Sequence, residues 1–338
     1  MDNDSRLTIN DIAGALGVSK TTVSRAISGK GRIGMKTRER VLAYINEHNY
    51  TPNAVAQNLA KSRTCNIGFI IPGEYQIIDI PFFQKCMFSI SETASEMDYD
   101  VIVSSVKGND IRHLERLITN QKVDGIILAR TLEDDPSIHY LLENHVPFVT
   151  LGTTELPGVT QIDNDHYHAC IEMTTLLLLK GIQNLGLIGG SRTHVVNRKR
   201  YDGFIKAHEN LELPVNYQNI YLDLTNLAGI ERAVDDLLES GARCIVCMDD
   251  SICSVVLNKL SREAVLVPQD IKIASYYDSS LMEANPALSS FVTSIRFDIQ
   301  EMGAIACRTL VDLIHAKPVN DKTLLGYNII LKSSTQSM

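Results

Sequence analysis

Lys20, Thr21 and Arg25 carry side chains suited to hydrogen bonding with base edges, and an arginine fork matches the paired acceptors of guanine. Around them Ser19, Thr22, Ser24 and Lys36 are of types that bind phosphate oxygens. Other spacings that could do chemistry fail on inspection. Cys244-Ile245-Val246-Cys247 has the spacing of half a zinc or redox motif, but in a strand-like run residues three apart point to opposite faces, and no second pair supplies ligands. His166-x-His168 has no partner nearby in sequence, so no metal site is expected. Gly186-Leu187-Ile188-Gly189-Gly190 lacks the dinucleotide-binding spacing, and neither a Gly-Lys-Ser/Thr phosphate loop nor a Gly-x-Ser-x-Gly elbow occurs. No cofactor and no enzyme activity are expected.

The elements that must hold the DNA-reading residues are short helices. Ile9, Ile12, Ala13 and Leu16 fall at helical spacing behind a Thr8 cap, with Asp11 in the first turn. Gly17-Val18 turns the chain, and Ser19 caps a second helix, Lys20 to Ser28, with Val23, Ala26 and Ile27 inward and Lys20, Thr21 and Arg25 outward. A third helix, about Lys36 to His48, is expected to bury Val41, Leu42 and Ile45. Helix, glycine turn and capped helix make the helix-turn-helix pattern, whose second helix fits the major groove; a plain three-helix bundle with solvated charges is the alternative. The segment Asn53 to Lys61 reads as a short helix, capped by Asn53, that forms only against a partner surface.

From Asn66 on, β-branched runs alternate with amphipathic stretches. Strands are expected at Ile67 to Pro72, Val101 to Val106, Ile126 to Ala129, Phe148 to Leu151, Leu185 to Gly189, Ile245 to Met248 and Ile271 to Tyr276. This α/β alternation implies parallel sheets wound with helices, two such units in series, with ligands beyond the carboxyl ends of the strands.

The 338 residues suffice for two or three domains, and no tract is biased enough to stay disordered. Net charge is −8, yet residues 1–64 hold ten Lys/Arg against five Asp/Glu, or +5, leaving 22 against 35, or −13, for the rest. A basic head before an acidic body fits a nucleic-acid reader joined to a second function. The acidic start and the lack of an apolar run approaching about 18 residues predict a cytoplasmic protein without a membrane span. Seven scattered cysteines read as reduced thiols.

Leu7-Thr8-Ile9-Asn10-Asp11-Ile12-Ala13, Gly17-Val18-Ser19, Thr22-Val23-Ser24-Arg25, Lys36-Thr37-Arg38-Glu39-Arg40-Val41 and Asn49-Tyr50-Thr51-Pro52-Asn53 resemble the lactose/galactose repressor (LacI/GalR) family, and Ala56-Gln57-x-Leu59-Ala60 continues the likeness. The resemblance implies a headpiece over residues 1–50, a hinge helix and linker over 51–64, and a periplasmic-binding-protein-like core of two doubly wound α/β subdomains over 65–338. It implies that Lys20 and Thr21 choose the operator, that Arg25 makes a shared base contact, that Arg32 reaches bases from the loop, and that Leu59 wedges into the minor groove or else packs on the core. One recognition helix makes too few contacts for strong specificity, so a homodimer on a pseudo-palindromic operator is expected.

In the body the same resemblance implies an effector site. Phe82 and Phe83 flank a ligand or belong to the core. In Asn197-Arg198-Lys199-Arg200-Tyr201-Asp202-Gly203, Arg198, five residues before the glycine, grips hydroxyls or carboxylates, or else sits in a surface cluster with Arg192, Lys199 and Arg200. Asp249 takes the ligand position of an Asn-Asp pair, and Asp250 a structural one. Tyr277 stands where the family usually has an acid, and could stack on a ring. Asp165 is expected to cap the helix from Tyr167. The function implied is a transcriptional repressor controlled by a small effector, a sugar or sugar derivative; the alternative is a regulator of this fold that responds to a protein co-regulator.

Overall fold

The computed structural model describes residues 7–29, 31–48, 50, 63–73, 80–224, 226–277 and 291–336. The chain divides into two compact units, Met1–Thr64 and Cys65–Met338.

The first unit holds α1 (Ile9–Leu16), α2 (Lys20–Ser28) and α3 (Met35–Glu47). Thr8 and Asp11 form a reciprocal capping box at the start of α1, satisfying amides that the helix cannot. Gly17 ends α1 at φ 65°, a left-handed conformation that glycine adopts without penalty. Ser19 caps α2 by accepting from the Thr22 amide at 3.1 Å. Ile12, Val23, Ala26 and Val41 close a small core. Leu42, expected inside, is exposed within this unit because Val41, Tyr44 and Ile45, at spacings of three and four, define the inward face of α3. The expected hinge helix, with Asn53 and Leu59, lies outside the described residues.

The second unit contains two six-stranded sheets. The first has the order β11-β5-β4-β3-β1-β2, from β1 (Asn66–Pro72), β2 (Asp100–Val106), β3 (Gly125–Leu128), β4 (Phe148–Leu151), β5 (Thr160–Asn164) and β11 (Lys322–Leu325), all parallel. The second has the order β12-β10-β9-β8-β6-β7, from β6 (Leu185–Ile188), β7 (Ile220–Tyr221), β8 (Cys244–Cys247), β9 (Lys272–Ser275), β10 (Thr293–Phe297) and β12 (Tyr327–Ile330), with only β12 antiparallel. The helices are α4 (Ile80–Glu96), α5 (Arg112–Thr119), α6 (Pro136–Glu143), α7 (His166–Leu179), α8 (Val195–Asn210), α9 (Leu227–Glu239), α10 (Asp250–Arg262) and α11 (Ile299–Ile314). Strands such as β3, β4, β6 and β8 are buried along their whole length, as parallel strands covered on both faces must be.

The seven strands expected from the sequence are present; β5, β7, β10, β11 and β12 are additional. These additions create the two-lobed form. The chain crosses from the first sheet to the second after β5, returns between β10 and α11, and crosses again at Gly326 between β11 and β12. Helix α11 packs against α4, β3 and β4, where Gly125 leaves room: a Cβ there would lie 2.8 Å from Leu310 Cδ1 and 2.9 Å from the Pro147 carbonyl. Helices α7 and α8 pack closely because Gly203 faces α7, where a Cβ would come within 2.7 Å of the Tyr167 carbonyl oxygen. Asp165 caps α7 as expected, accepting from the His168 amide at 3.2 Å.

Candidate functional site

In the first unit, α2 presents Lys20, Thr21, Ser24 and Arg25 outward while Val23 and Ala26 are buried. Positions 20, 21, 24, 25 and 28 form one stripe at helical spacing, of the width a major groove admits. Ser19 and Thr22 are engaged with each other at 2.9 Å between hydroxyl oxygens, as part of the cap. Arg32 and Lys36 are exposed beyond the helix end. Gly31, at φ 90°, gives Arg25 its place, since a Cβ there would lie 3.2 Å from the Arg25 Cδ. Arg40 serves the fold, donating to the Leu16 carbonyl at 3.1 Å.

In the second unit a cavity of about 400 Å³ opens between the two sheets. It lies at the carboxyl ends of β1, β3, β4, β5, β6, β8 and β9, with Pro72, Ala129, Leu151, Asp163, Gly190, Asp249 and Tyr277 as the lining residues at or just beyond those ends. One wall is aromatic: Phe82 and Phe83 sit edge to face with centroids 5.2 Å apart, and Tyr277 lies 6.4 Å from Phe82 and stacks on Phe297 at 6.3 Å. Polar side chains line it as well, Asp163, Asn164, His166, Asn197, Arg200 and Asp249, with Arg200 against Tyr277 and His166 against Phe297.

Of the five effector residues expected, Phe82, Phe83, Asp249 and Tyr277 line this cavity. Arg198 does not. Its Nη1 pairs with Glu133 Oε1 at 2.6 Å, and the two side chains are 47% and 71% exposed. Arg200 lines the cavity instead, 7% exposed, with Nη1 donating to the Met248 carbonyl at 2.9 Å and its guanidinium 5.6 Å from the Tyr277 ring centroid. The reason is helical phase. Gly203 faces α7, a residue three earlier shares that side, and a residue five earlier is turned well away from it. That phase was readable from the glycine, had its packing role been used to orient the helix.

Three further polar residues were not expected at the cavity. Asn164, the last residue of β5, and His166, the first of α7, are 1% and 6% exposed, and Asp163 is the next-to-last residue of β5. Burial pushes the Asp163 carboxyl up while Lys199, 3.6 Å away, opposes that. Burial, with the positive charges of Arg200 and Lys199, holds His166 well below the usual imidazole value, so its ring is neutral. Burial also raises Asp249, against the Ile252 amide that donates to it at 2.8 Å and the nearby Arg200. Asp249 caps α10, and its neighbour Asp250, 2% exposed, lines the cavity too. Buried Arg200 Nε, His166 Nδ1 and Asn164 Oδ1 have no hydrogen-bond partner within the protein. An aromatic wall beside polar side chains suits a ligand with several hydroxyls and an apolar face.

Alternate residues of β8 enter different clusters, Cys244 and Val246 in one and Ile245 and Cys247 in the other, so the cysteine pair is split across the sheet. Among the described residues no group of His, Cys, Asp and Glu is arranged to hold a metal ion, and no helix is long and apolar enough to cross a membrane.

Comparison with known proteins shows the family. A family described as "Periplasmic binding proteins and sugar binding domain of LacI family" matches residues 64–325, and "Bacterial regulatory proteins, lacI family" matches residues 8–53. The HTH-type transcriptional regulator pepR1 of Lactobacillus delbrueckii subsp. lactis is 30% identical over 98% of this chain and 99% of its own length. The HTH-type transcriptional regulator MalR of Streptococcus pneumoniae serotype 4 is 28% identical over 96% of this chain and 99% of its own. In fold the chain is similar to the lac repressor dimer bound to operator and the anti-inducer ONPF, with a TM-score of 0.82 at 22% identity over 98% of this chain and all of that one. The chain belongs to the LacI family of bacterial regulatory proteins and is a DNA-binding transcriptional regulator.

Proposed function

We propose that this regulator is a homodimeric repressor whose operator affinity is set by a neutral sugar or sugar derivative bound in the cavity of its second unit. The observation that carries the reading is the cavity itself: about 400 Å³, walled by Phe82, Phe83 and Tyr277 and edged by Arg200, Asp249 and Asn164. Sugars offer CH-rich faces to aromatic rings and vicinal hydroxyls to carboxylates and guanidinium forks. Tyr277, in place of an acid, gives ring contact rather than a second carboxylate on that side. In this reading Arg200, not Arg198, is the fork that holds hydroxyls.

In the headpiece, Arg25 reads a guanine, Lys20 and Thr21 select neighbouring bases, and Ser24, Arg32 and Lys36 hold phosphates or reach further bases. Ser19 and Thr22 position the start of α2 on the backbone. Two copies read two half-sites of a pseudo-palindrome. Leu59 keeps the minor-groove role that the resemblance implies, and Asn53, the cap expected from the sequence, is assigned to the DNA contacts beside it.

The cavity is lined from both lobes, so a ligand that prefers one lobe arrangement shifts the population of DNA-competent dimers by its differential affinity. A built cavity lined by aromatic and polar side chains favours a small ligand over a protein co-regulator. Isothermal titration of the full chain with glucose, galactose, maltose, cellobiose and ribose tests this. At least one saturable isotherm, weakened in Asp249→Asn, is expected; flat traces with all five probes would overturn the sugar assignment.

A further inference from the structure

We propose that residues 130–133, after β3, and residues 194–198, at the start of α8, form a clasp across the cleft that must part whenever the cavity takes up or releases its ligand. The inference rests on the reading that a saccharide fills the cavity, and it assigns control of ligand exchange to contacts that this reading does not use.

The two segments belong to different lobes and meet through backbone and side chains alike. Leu132 pairs with His194 in an antiparallel bridge. The Val195 amide donates to the Thr131 carbonyl at 3.3 Å. Arg130 Nη1 donates to His194 Nε2 at 3.2 Å, and Arg198 Nη1 pairs with Glu133 Oε1 at 2.6 Å. Arg198, which does not line the cavity, thus has a task at its edge. Val195 is the first residue of α8, where an amide has no acceptor in its own helix, so its bond to Thr131 takes nothing from the helix. Each half is also braced within its own lobe. Asp135, 5% exposed, accepts from the Leu132 and Ser137 amides at 3.2 and 2.9 Å, and Thr131 Oγ1 donates to the Thr153 carbonyl at 2.8 Å. Across the cleft, Asn197 Nδ2 donates to the Ser191 carbonyl at 2.9 Å. Both halves keep these bonds when they separate, so parting the clasp melts neither.

The place of the clasp in the sheets makes it a side on which the lobes can open. The covalent crossovers leave from β5 and β10 and pass between β11 and β12. In the first sheet β4 separates β3 from β5, and in the second β8 and β9 separate β6, which leads into α8, from β10. At about 4.8 Å per strand, the clasp stands roughly 10–14 Å from the crossovers. Asp163 and His166 line the cavity on the crossover side, and Thr131 and His194 on the clasp side. Lobes joined by the chain along one side part along another. The clasp is made between protein groups alone, so it favours the closed arrangement with or without a ligand.

Two full-length variants test this. Val195→Pro deletes the donor and sets the ring Cδ against the Thr131 carbonyl. It keeps the helix start, since proline suits the first helical position and His194, at φ −79° and ψ 123°, already has the conformation required before it. The probe is a saccharide that binds wild type, drawn from glucose, galactose, maltose, cellobiose and ribose, followed by stopped-flow tyrosine fluorescence. Association and dissociation should both quicken about three- to tenfold while Kd stays within about twofold, because free and bound forms lose the same contact. A contact that only shaped the wall would weaken affinity without quickening association. Leu132→Cys combined with His194→Cys should form a disulfide on oxidation, as a bridged antiparallel pair allows, confirmed by mass spectrometry. The oxidised chain should exchange saccharide at least about tenfold more slowly than the same chain reduced. Failure of the pair to oxidise, equal exchange in the oxidised and reduced chains, or weaker affinity with unchanged association in Val195→Pro overturns the proposal. If no saccharide binds wild type, the sugar reading of the cavity fails, while oxidation of the cysteine pair still decides whether the clasp forms.

Discussion

Two arginines two residues apart on α8 should respond to substitution to very different extents. Arg200→Met removes a charged hydrogen bond to the Met248 carbonyl, made at 2.9 Å in a buried site, together with the guanidinium over Tyr277. Such a hydrogen bond contributes about 1.5–3 kcal/mol and the ring contact about 0.5–2 kcal/mol, partly offset because a buried charge no longer has to be desolvated. The expected net cost is about 1–3 kcal/mol, or a fall in melting temperature of about 2–10 °C for the core transition followed by circular dichroism. Affinity for a bound saccharide should fall about 10–100-fold by calorimetry, since the donor fork is lost. Arg198→Met removes an ion pair whose members are 47% and 71% exposed, so solvent screening limits its cost to at most about 1 kcal/mol. Its saccharide affinity should stay within about threefold of wild type. If Arg198→Met lost the ligand and Arg200→Met kept it, the assignment of the cavity arginine would be wrong.

Other perturbations follow from the same geometry. An unfolded chain protonates its imidazoles below about pH 6.5, whereas His166, held neutral by burial and by Arg200 and Lys199, does not in the folded chain. The unfolded state then binds one proton more, so this residue makes stability decline by about 1.4 kcal/mol per pH unit below that point. Urea midpoints at several pH values between about 7.5 and 5.5 should therefore fall less steeply in His166→Phe than in wild type, and parallel slopes would contradict the burial argument. Cys65 is half-buried and the other six cysteines are buried, with burial pushing the Cys244 and Cys307 thiols up to about 12. A thiol reagent at neutral pH should modify at most the single site Cys65 rapidly in the native protein and all seven in urea; a second fast site would show that the core opens. Gly31→Ala should weaken operator binding while leaving the melting of the second unit unchanged, because φ 90° disfavours a side chain and the new Cβ would crowd Arg25.

The headpiece was legible almost residue by residue, since its signals are local: a Thr8 cap with Asp11 at its third helical position, a glycine at φ 65°, a Ser19 cap and a stripe of polar side chains. Buried strands such as β1 and β3 were legible from their runs of apolar, isoleucine-rich residues. Strands β5, β10, β11 and β12 were not, because Thr160-Gln161-Ile162-Asp163-Asn164 and Thr293-Ser294-Ile295-Arg296-Phe297 mix polar and apolar residues at lobe junctions or on edges. The site suffered from the same limit. Phe82, Phe83, Asp249 and Tyr277 were reachable through the resemblance, but Arg198 was chosen by counting from Gly203 without asking which face the glycine packs on. His166 was weighed as a metal ligand and set aside. Its partners, Asp163 and Phe297, reach it only through a crossover and a strand about 130 residues away, and no local pattern announces that.

Selection of bound duplexes from a random pool, with the full chain beside its Arg25→Ala variant, tests most directly whether α2 is the reading element of a sequence-specific regulator. The account predicts that wild type enriches a pseudo-palindrome with a guanine at matching positions of each half-site, and that Arg25→Ala retains binding to bulk DNA but loses that enrichment. Recovery of the same sequence by both proteins would contradict it.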